Sequence, residues 1–290
     1  MRELDQYLGW CDSLYQSLPH CKCGKSCTNS NYCNGQQSNC YACIRRVHDY
    51  RNRTVHYNCE KMLYFYVLKH GYRFGSEIYY LFNSIKRIIK KWDHINIVSI
   101  GCGPCTELFG ALSLWRRLGK SDATFHFRGY DLEQMWVNLM NYVQVLFQNM
   151  DVETNNSDAI TSLIGTQEPV DIIVFNYMLS DMLKFHPLSF NGFLDSLCDL
   201  VRDKTPKFIL VNDIYLKVSL NASSQIVNVL RNNGFSFNIV KSQYPSLNGF
   251  IGQHGNIIQR DPMCNMDPHI EAEYEPFPDV NSIQTIIQFT

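Results

Sequence analysis

These 290 residues contain no apolar run near the roughly 18 in succession that a membrane-crossing helix needs, so no such helix is expected. Met1 to Trp10 lacks a basic stretch followed by an apolar one, the pattern of a secretory leader, and an intracellular protein, cytoplasmic or nuclear, is expected. Net charge is nearly absent, at −1, which excludes a uniformly basic or acidic chain. Aliphatic residues are scarce from Met1 to about Tyr50, where Cys, Asn, Ser and Gly dominate, so that segment is not expected to build an ordinary core. No internal repeat is visible.

The near-neutral total hides a division at Ile95. Residues 1–95 carry 14 Lys and Arg against 7 Asp and Glu, whereas the remainder carries 12 against 20. A basic front end suits an anionic partner, nucleic acid being the commonest; Lys86, Arg87, Lys90 and Lys91 read equally well as the solvated end of a helix. Seven of the twelve cysteines fall between Cys11 and Cys43 with no export signal, which favours metal binding over disulfides. Thiolates a few residues apart converge readily on tetrahedral zinc, and Gly24 and Gly35 permit the turns this needs, so Cys21, Cys23, Cys27, Cys33, Cys40 and Cys43 are the candidate ligands. Cys40 and Cys43, two residues between them, are the most specific pair; Cys11, His20, His48, His56 and Cys59 flank the run. One zinc site, two zinc sites and an iron–sulfur cluster all agree with the spacing. With so few apolar residues, the metal would supply folding free energy on the order of 10 kcal/mol. Directly after the pair come Arg45, Arg46, Arg51 and Arg53 with Tyr50 among them. Arginine forks suit phosphates and Tyr50 a base, so RNA or DNA docking is expected there, an exposed helix surface being the alternative.

From about Val55 to Trp92 apolar residues recur at helical spacing, interrupted around Gly71 to Gly75, which predicts two helices or one broken helix. Beyond Trp92, short apolar runs alternate with helical stretches, the rhythm of a doubly wound, mostly parallel sheet. Strands are expected at Ile95–Ile100, Thr124–Tyr130, weakly at Gln148–Val152, then at Val170–Phe175, Phe208–Asn212, Phe235–Val240 and Ser282–Phe289. Helices are expected at Thr106–Leu118, Glu133–Phe147, Phe190–Val201 and Ser223–Asn232. The organisation expected is a cysteine-rich module over 1–54, a helical linker over 55–93 and an α/β domain over 94–290. Five prolines between Ser242 and Asn281 mark 242–281 as an inserted loop or lid.

The chemistry-bearing stretch is Ile97-Val98-Ser99-Ile100-Gly101-Cys102-Gly103-Pro104-Cys105-Thr106-Glu107. An apolar strand enters a tight glycine turn and then a helix, which lets a ligand approach backbone. A dinucleotide site wants a third glycine where Thr106 stands and a helix start free to hold pyrophosphate, whereas Glu107 brings a carboxylate there. An acidic turn better suits a ligand with a cationic amino group. The stretch resembles the glycine-rich first motif of class I S-adenosylmethionine-dependent methyltransferases, commonly GCGPGT followed by an acid. Cys105 stands at the third family glycine, and Ser99 where an acid is frequent.

That resemblance, which spans roughly Ile95 to Val240 and the last strand, implies a seven-stranded Rossmann-like fold that binds S-adenosylmethionine. It implies Gly101, Cys102, Gly103, Pro104 and Glu107 at the cofactor, with Asp131, in Phe127-Arg128-Gly129-Tyr130-Asp131-Leu132-Glu133, as the acid that accepts from the ribose hydroxyls and Leu132 beside it. Asp151 matches the family's acid near adenine, or is a loop residue. Asn176 and Tyr177, after the fourth strand, are placed to shape the reacting centre, and Asp181 and Asp213 are either proton acceptors or caps. The missing prolines after Asn176 disfavour exocyclic base amines as acceptors, while Cys105 and Cys198 are expected to pack rather than attack. The expected activity is methyl transfer to a nucleic acid docked by the basic zinc module; the alternatives are a small-molecule methyltransferase and a non-catalytic methyltransferase-like binding module.

Overall fold

The computed structural model describes residues 2–18, 40–48, 57, 59–214, 217–246, 249–251, 263–276 and 282–290. The elements begin with α1 (Arg2–Ser17), α2 (Cys40–His48), α3 (Glu60–Ser84) and α4 (Lys86–Ile89). Next come β1 (Ile95–Ile100), α5 (Thr106–Arg117), β2 (Phe125–Tyr130), α6 (Val137–Leu146), β3 (Asp151–Asn155) and α7 (Ala159–Leu163). Then follow β4 (Ile172–Asn176), α8 (Leu179–Phe185), α9 (Phe190–Lys204), β5 (Phe208–Ile214) and α10 (Lys217–Asn232). The chain closes with β6 (Phe237–Ser246), β7 (Gly249–Ile251), α11 (Pro268–Tyr274) and β8 (Ser282–Phe289). Among the described residues no helix is long and apolar enough to cross a membrane.

The chain divides into two units, Met1–Arg73 with Cys264–Pro278, and Phe74–Met263 with Asp279–Thr290. In the first, α1 corrects the expectation that residues 1–50 lack core-forming pattern. Leu4, Tyr7, Leu8 and Cys11 recur at the spacing of one helix face and are fully buried. Cys11 is therefore a core residue in this helix. Cys40, Cys43, Ile44 and Val47 repeat the same spacing on α2 and are likewise buried. Polar ties finish the unit. The Tyr72 hydroxyl donates to Asp5 at 2.9 Å and accepts from the Asp267 amide at 2.7 Å, while the buried Lys69 ammonium donates to the carbonyls of Tyr274 and Glu275. Asp267 caps α11, whose first residue, Pro268, has no amide hydrogen to leave unsatisfied.

The second unit is an α/β sheet in the order β3-β2-β1-β4-β5-β8-β6-β7 among the described residues. The strands β3, β2, β1, β4 and β5 are parallel neighbours, and β8 runs antiparallel between β5 and β6. Seven long strands thus form a mixed sheet, with β7 a three-residue return from β6. Every residue of β1 and of β4 is buried, as expected for central parallel strands covered on both faces, whereas β3 at the margin alternates between exposed and buried positions. The reversed β8 distinguishes this order from the dinucleotide-binding 3-2-1-4-5-6 arrangement.

Three local expectations are corrected. The third strand runs over Asp151–Asn155 rather than Gln148–Val152, because Gln148 and Met150 are held in the turn that ends α6 by bonds to the carbonyls of Val145 and Phe147. Part of 242–281 is regular: β6 continues to Ser246 and α11 lies within it. And α3 is one unbroken helix of 25 residues through Gly71 and Gly75.

These glycines serve close packing. A Cβ on Gly110 of α5 would lie 2.2 Å from the Gly75 carbonyl oxygen and 2.8 Å from the Tyr79 amide nitrogen, so α5 meets the Gly75–Tyr79 stretch of α3 backbone to backbone. Gly110→Ala should therefore cost about 1–3 kcal/mol. Gly192→Ala, on α9 where a Cβ meets nothing within 4 Å, should instead stabilise by roughly 0.5–1 kcal/mol. Urea midpoints of the two variants would show it; equal midpoints would contradict the crossing.

Candidate functional site

Between β1 and β4 the strand order reverses, and in open parallel sheets a crevice forms there beyond the strands' carboxyl ends. The turn after β1 and the segment after β4 meet at this place. Gly101 and Gly103 have positive φ, +69° and +47°, which only glycine adopts without strain. A Cβ on Gly101 would come within 2.3 Å of Met178 Cγ, so the segment after β4 presses directly on the turn. Gly129 of β2 does the same for Cys102, whose Sγ would stand 2.9 Å from a Cβ there.

Every amide hydrogen from Gly101 to Cys105 is spoken for. The Gly101 and Cys102 amides donate to the Tyr130 carbonyl at 2.8 and 3.0 Å. The Gly103 amide donates to Asp131 Oδ2 at 2.8 Å, Pro104 has none, and the Cys105 amide donates to the Cys102 carbonyl at 2.8 Å. Asp131 Oδ1 accepts from the Glu133 amide at 2.8 Å. This carboxylate thus ties the first turn to the end of β2, and burial pushes its pKa up to about 6 against the amides that favour the charged form. Leu132, immediately after it, is 69% exposed.

Glu107 lies in the first turn of α5 and is 1% exposed. Ser99 Oγ donates to its Oε1 at 2.6 Å and Asn176 Nδ2 to its Oε2 at 3.3 Å. Burial nonetheless pushes its pKa up to about 7. A polar chain continues outward: Asn212 Nδ2 donates to Asn176 Oδ1 at 2.8 Å and to Glu77 Oε2 at 3.0 Å, and the Tyr177 hydroxyl donates to Glu77 Oε2 at 2.9 Å. Ser282 and Gln284 donate to Asn212 Oδ1, and Gln284 also to the Glu77 carbonyl. Tyr177 holds a left-handed φ of +57° with its ring against Phe74, centroids 4.0 Å apart. Backbone strain in a non-glycine residue persists where surroundings over-determine it.

The structure brings together Gly101, Cys102, Gly103, Pro104, Glu107, Asp131, Leu132, Asn176 and Tyr177 at this edge of the sheet. Asp151 is not among them: it opens β3 at the amino end, opposite His126 in the register and in contact with its ring, while Asn155 closes the strand at the site's end. Asp213 acts as a cap, accepting from the Ser180 amide and hydroxyl and from the Ile214 amide, its pKa pushed up to about 6 by burial. Cys198 is packed in the core. Glu77, Asn212 and Gln284 went unnoticed in the sequence, where the signal was a polar residue inside an apolar run. Of the cysteine run, Cys40 and Cys43 lie buried on α2, and Cys21, Cys23, Cys27 and Cys33 lie outside the described residues; among the described residues no group of three metal-ligating side chains is assembled. Arg45 is exposed on α2 over the Tyr41 ring, while Arg51, Arg53 and the side chain of Arg46 lie outside the described residues.

No family model matches the chain, and no curated protein does. Among solved structures it is similar to the plantazolicin methyltransferase BpumL in complex with SAH, at 13% identity over all of this chain and 97% of that one, with a TM-score of 0.45. It is similar to a putative class I S-adenosylmethionine-dependent methyltransferase from Listeria monocytogenes at 12% identity and TM-score 0.46, covering 75% of this chain but only 59% of that one. A precorrin-6y C5,15-methyltransferase from Geobacter metallireducens matches at 11% identity and TM-score 0.39, over 68% of this chain and 80% of that one. Likeness at that level assigns neither substrate nor activity.

Burial of Glu107 has a consequence for pH. Its folded pKa, about 7, stands above the ordinary 4.5, so between those values the folded state keeps a proton that the unfolded chain has released. Stability is therefore lost as pH rises through this window and is level above it. Glu107→Gln should gain on the wild type from about pH 4.5 to about pH 7, by on the order of 3 kcal/mol. Urea unfolding of both proteins across that range would reveal it, and a constant difference would show that Glu107 does not titrate there.

Proposed function

We propose that the chain is an S-adenosylmethionine-dependent methyltransferase whose cofactor lies over the Gly101–Cys105 turn. One observation carries the reading: the amide hydrogens of Gly101, Cys102, Gly103 and Cys105, which would otherwise face a pyrophosphate at this turn, are engaged by the Tyr130 carbonyl, the Cys102 carbonyl and the Asp131 carboxylate. What remains at the turn is two buried carboxyls, Asp131 and Glu107, whose charged forms an ammonium or a sulfonium would stabilise and phosphates would oppose.

The residues present fit that ligand. Each Asp131 oxygen accepts one amide bond and retains a lone pair for a ribose hydroxyl. Leu132 offers an exposed apolar side chain for the face of the adenine. Glu107, held by Ser99, supplies the carboxylate at the head of β1 that the family commonly places on the strand itself. When bound, S-adenosylmethionine supplies an electrophilic methyl on a cationic sulfur. The chain then has to hold an uncharged nucleophile in line and keep water out, so positioning is most of the catalysis. Asn176 acts here by orienting Glu107, and Tyr177, pinned by Glu77 and Phe74, forms the wall beyond β4. With Asp213 occupied in capping α8, no general base is assigned to it.

The acceptor we propose is a nucleic acid, on the basic balance of residues 1–95, with zinc held by the cysteine run; a small-molecule acceptor is the alternative, and a steep loss of binding with salt separates the two. Calorimetry with S-adenosylmethionine tests the cofactor. Asp131→Asn, which keeps an acceptor oxygen but loses the charge, should weaken binding at least tenfold, about 1.4 kcal/mol, and Asp131→Ala more. No binding by the wild type at about 1 mM, where ΔG would be near −4.1 kcal/mol, would sink the enzyme reading.

A further inference from the structure

Cys102 and Cys105 bracket Gly103 and Pro104 in a C-x-x-C spacing, and their sulfurs are 3.5 Å apart, the Cys105 thiol donating to Cys102 Sγ. Both thiols are free and buried, Cys102 at 3% exposure and Cys105 at 0%. Cys105 holds a left-handed φ of +56° just before α5, a conformation that glycine would take more easily and that turns its side chain toward Cys102. A simple packing role would not require two thiols in mutual contact at opposite ends of one turn. Closing 3.5 Å to the roughly 2.05 Å of a disulfide asks for a shift of about 1.5 Å between two sulfurs whose residues have only two others between them.

We propose that Cys102 and Cys105 form a reversible dithiol–disulfide site within the turn, oxidised by a small hydroperoxide and reset by a dithiol. At 3% and 0% exposure the two sulfurs are closed to a bulky disulfide, which is why a small hydroperoxide is the co-reactant. Desolvation holds the Cys102 thiol up in pKa; at Cys105 the hydrogen bond to Cys102 lowers it but is outweighed by desolvation together with the Glu107 and Asp131 charges, so the oxidation speeds up as pH rises. The Cys102 thiolate, the more exposed, attacks one peroxide oxygen; the O–O bond breaks, the departing oxygen takes a proton as water or alcohol, and Cys102 becomes a sulfenic acid. The Cys105 thiolate then attacks the Cys102 sulfur, the S–O bond breaks, and hydroxide leaves with the second proton as water. Two thiols are oxidised by two electrons and one peroxide is reduced. The disulfide constrains the Gly103–Pro104 apex, whose Gly103 amide donates to Asp131, so ligand binding at the turn falls. This last consequence rests on the cofactor reading above.

The test uses the reduced full-length chain, treated or not with hydrogen peroxide, alkylated and digested with trypsin. Both cysteines fall in the peptide from Trp92 to Arg116, which contains no other cysteine. The expected result is that peptide unalkylated and lighter by two hydrogens after peroxide, returning to the doubly alkylated form after dithiothreitol. In the same samples, affinity for S-adenosylmethionine should drop at least tenfold on oxidation and recover on reduction. In Cys105→Gly, which suits the left-handed φ, affinity should not respond to peroxide. Two alkylated cysteines after peroxide, or separate sulfinic acids without a link, would overturn the proposal. If the reduced chain binds no S-adenosylmethionine, the cofactor reading fails and the linked peptide alone decides the dithiol assignment.

Discussion

A buried carboxylate is stable only where enough donors replace the water it has lost, and the site edge of the sheet is organised around two of them. Asp131 takes the Gly103 amide from one strand's turn and the Glu133 amide from its own, so β1 and β2 cannot separate at this end without stranding a charge. Glu107 takes Ser99 from β1 and Asn176 from β4. Between them the two acids fix the three segments that meet at the topological switch point. That both carboxyls are pushed toward neutrality, to about 6 and about 7, shows that their donors do not fully offset burial. An incoming positive charge would complete the compensation.

The layer behind the acids explains why Glu77 belongs to the site although it comes from a helix that precedes the sheet in sequence. Its carboxylate accepts from Asn212 and Tyr177, and its carbonyl from Gln284, so β4, β5 and β8 are joined to α3 through one residue. The near approach of α5 to the Gly75–Tyr79 stretch, possible only because Gly110 lacks a side chain, brings α3 close enough for this. Tyr177 keeps its left-handed backbone because its hydroxyl, its ring and its amide, which donates to the Asn212 carbonyl, are all engaged. Buried networks of this kind are costly when half satisfied, so each member constrains the others.

Much of this was legible beforehand. Apolar runs such as Ile95–Ile100 and Val170–Phe175 announce central strands by composition alone, and the Gly101–Glu107 sequence announces the turn. The third strand escaped because β3 is a marginal strand with alternating burial and a weak apolar signal, and the error carried Asp151 to the wrong end of the sheet. Gly71 and Gly75 read as breaks because local propensity favours that; tertiary packing outweighed the modest helix cost of glycine. The stripe Leu4, Tyr7, Leu8 and Cys11 was present but overshadowed by the cysteines that follow it. Glu77, Asn212 and Gln284 could not be joined in sequence, since they lie on three elements whose adjacency only the strand order creates.

On the proposed reading this turn, its amides from Gly101 to Cys105 already committed, takes a cationic nucleoside and not a dinucleotide. Equilibrium dialysis of the reduced chain against equal concentrations of labelled S-adenosylmethionine and labelled NAD measures that choice directly. The account predicts retention of S-adenosylmethionine alone; retention of NAD in its place would contradict it.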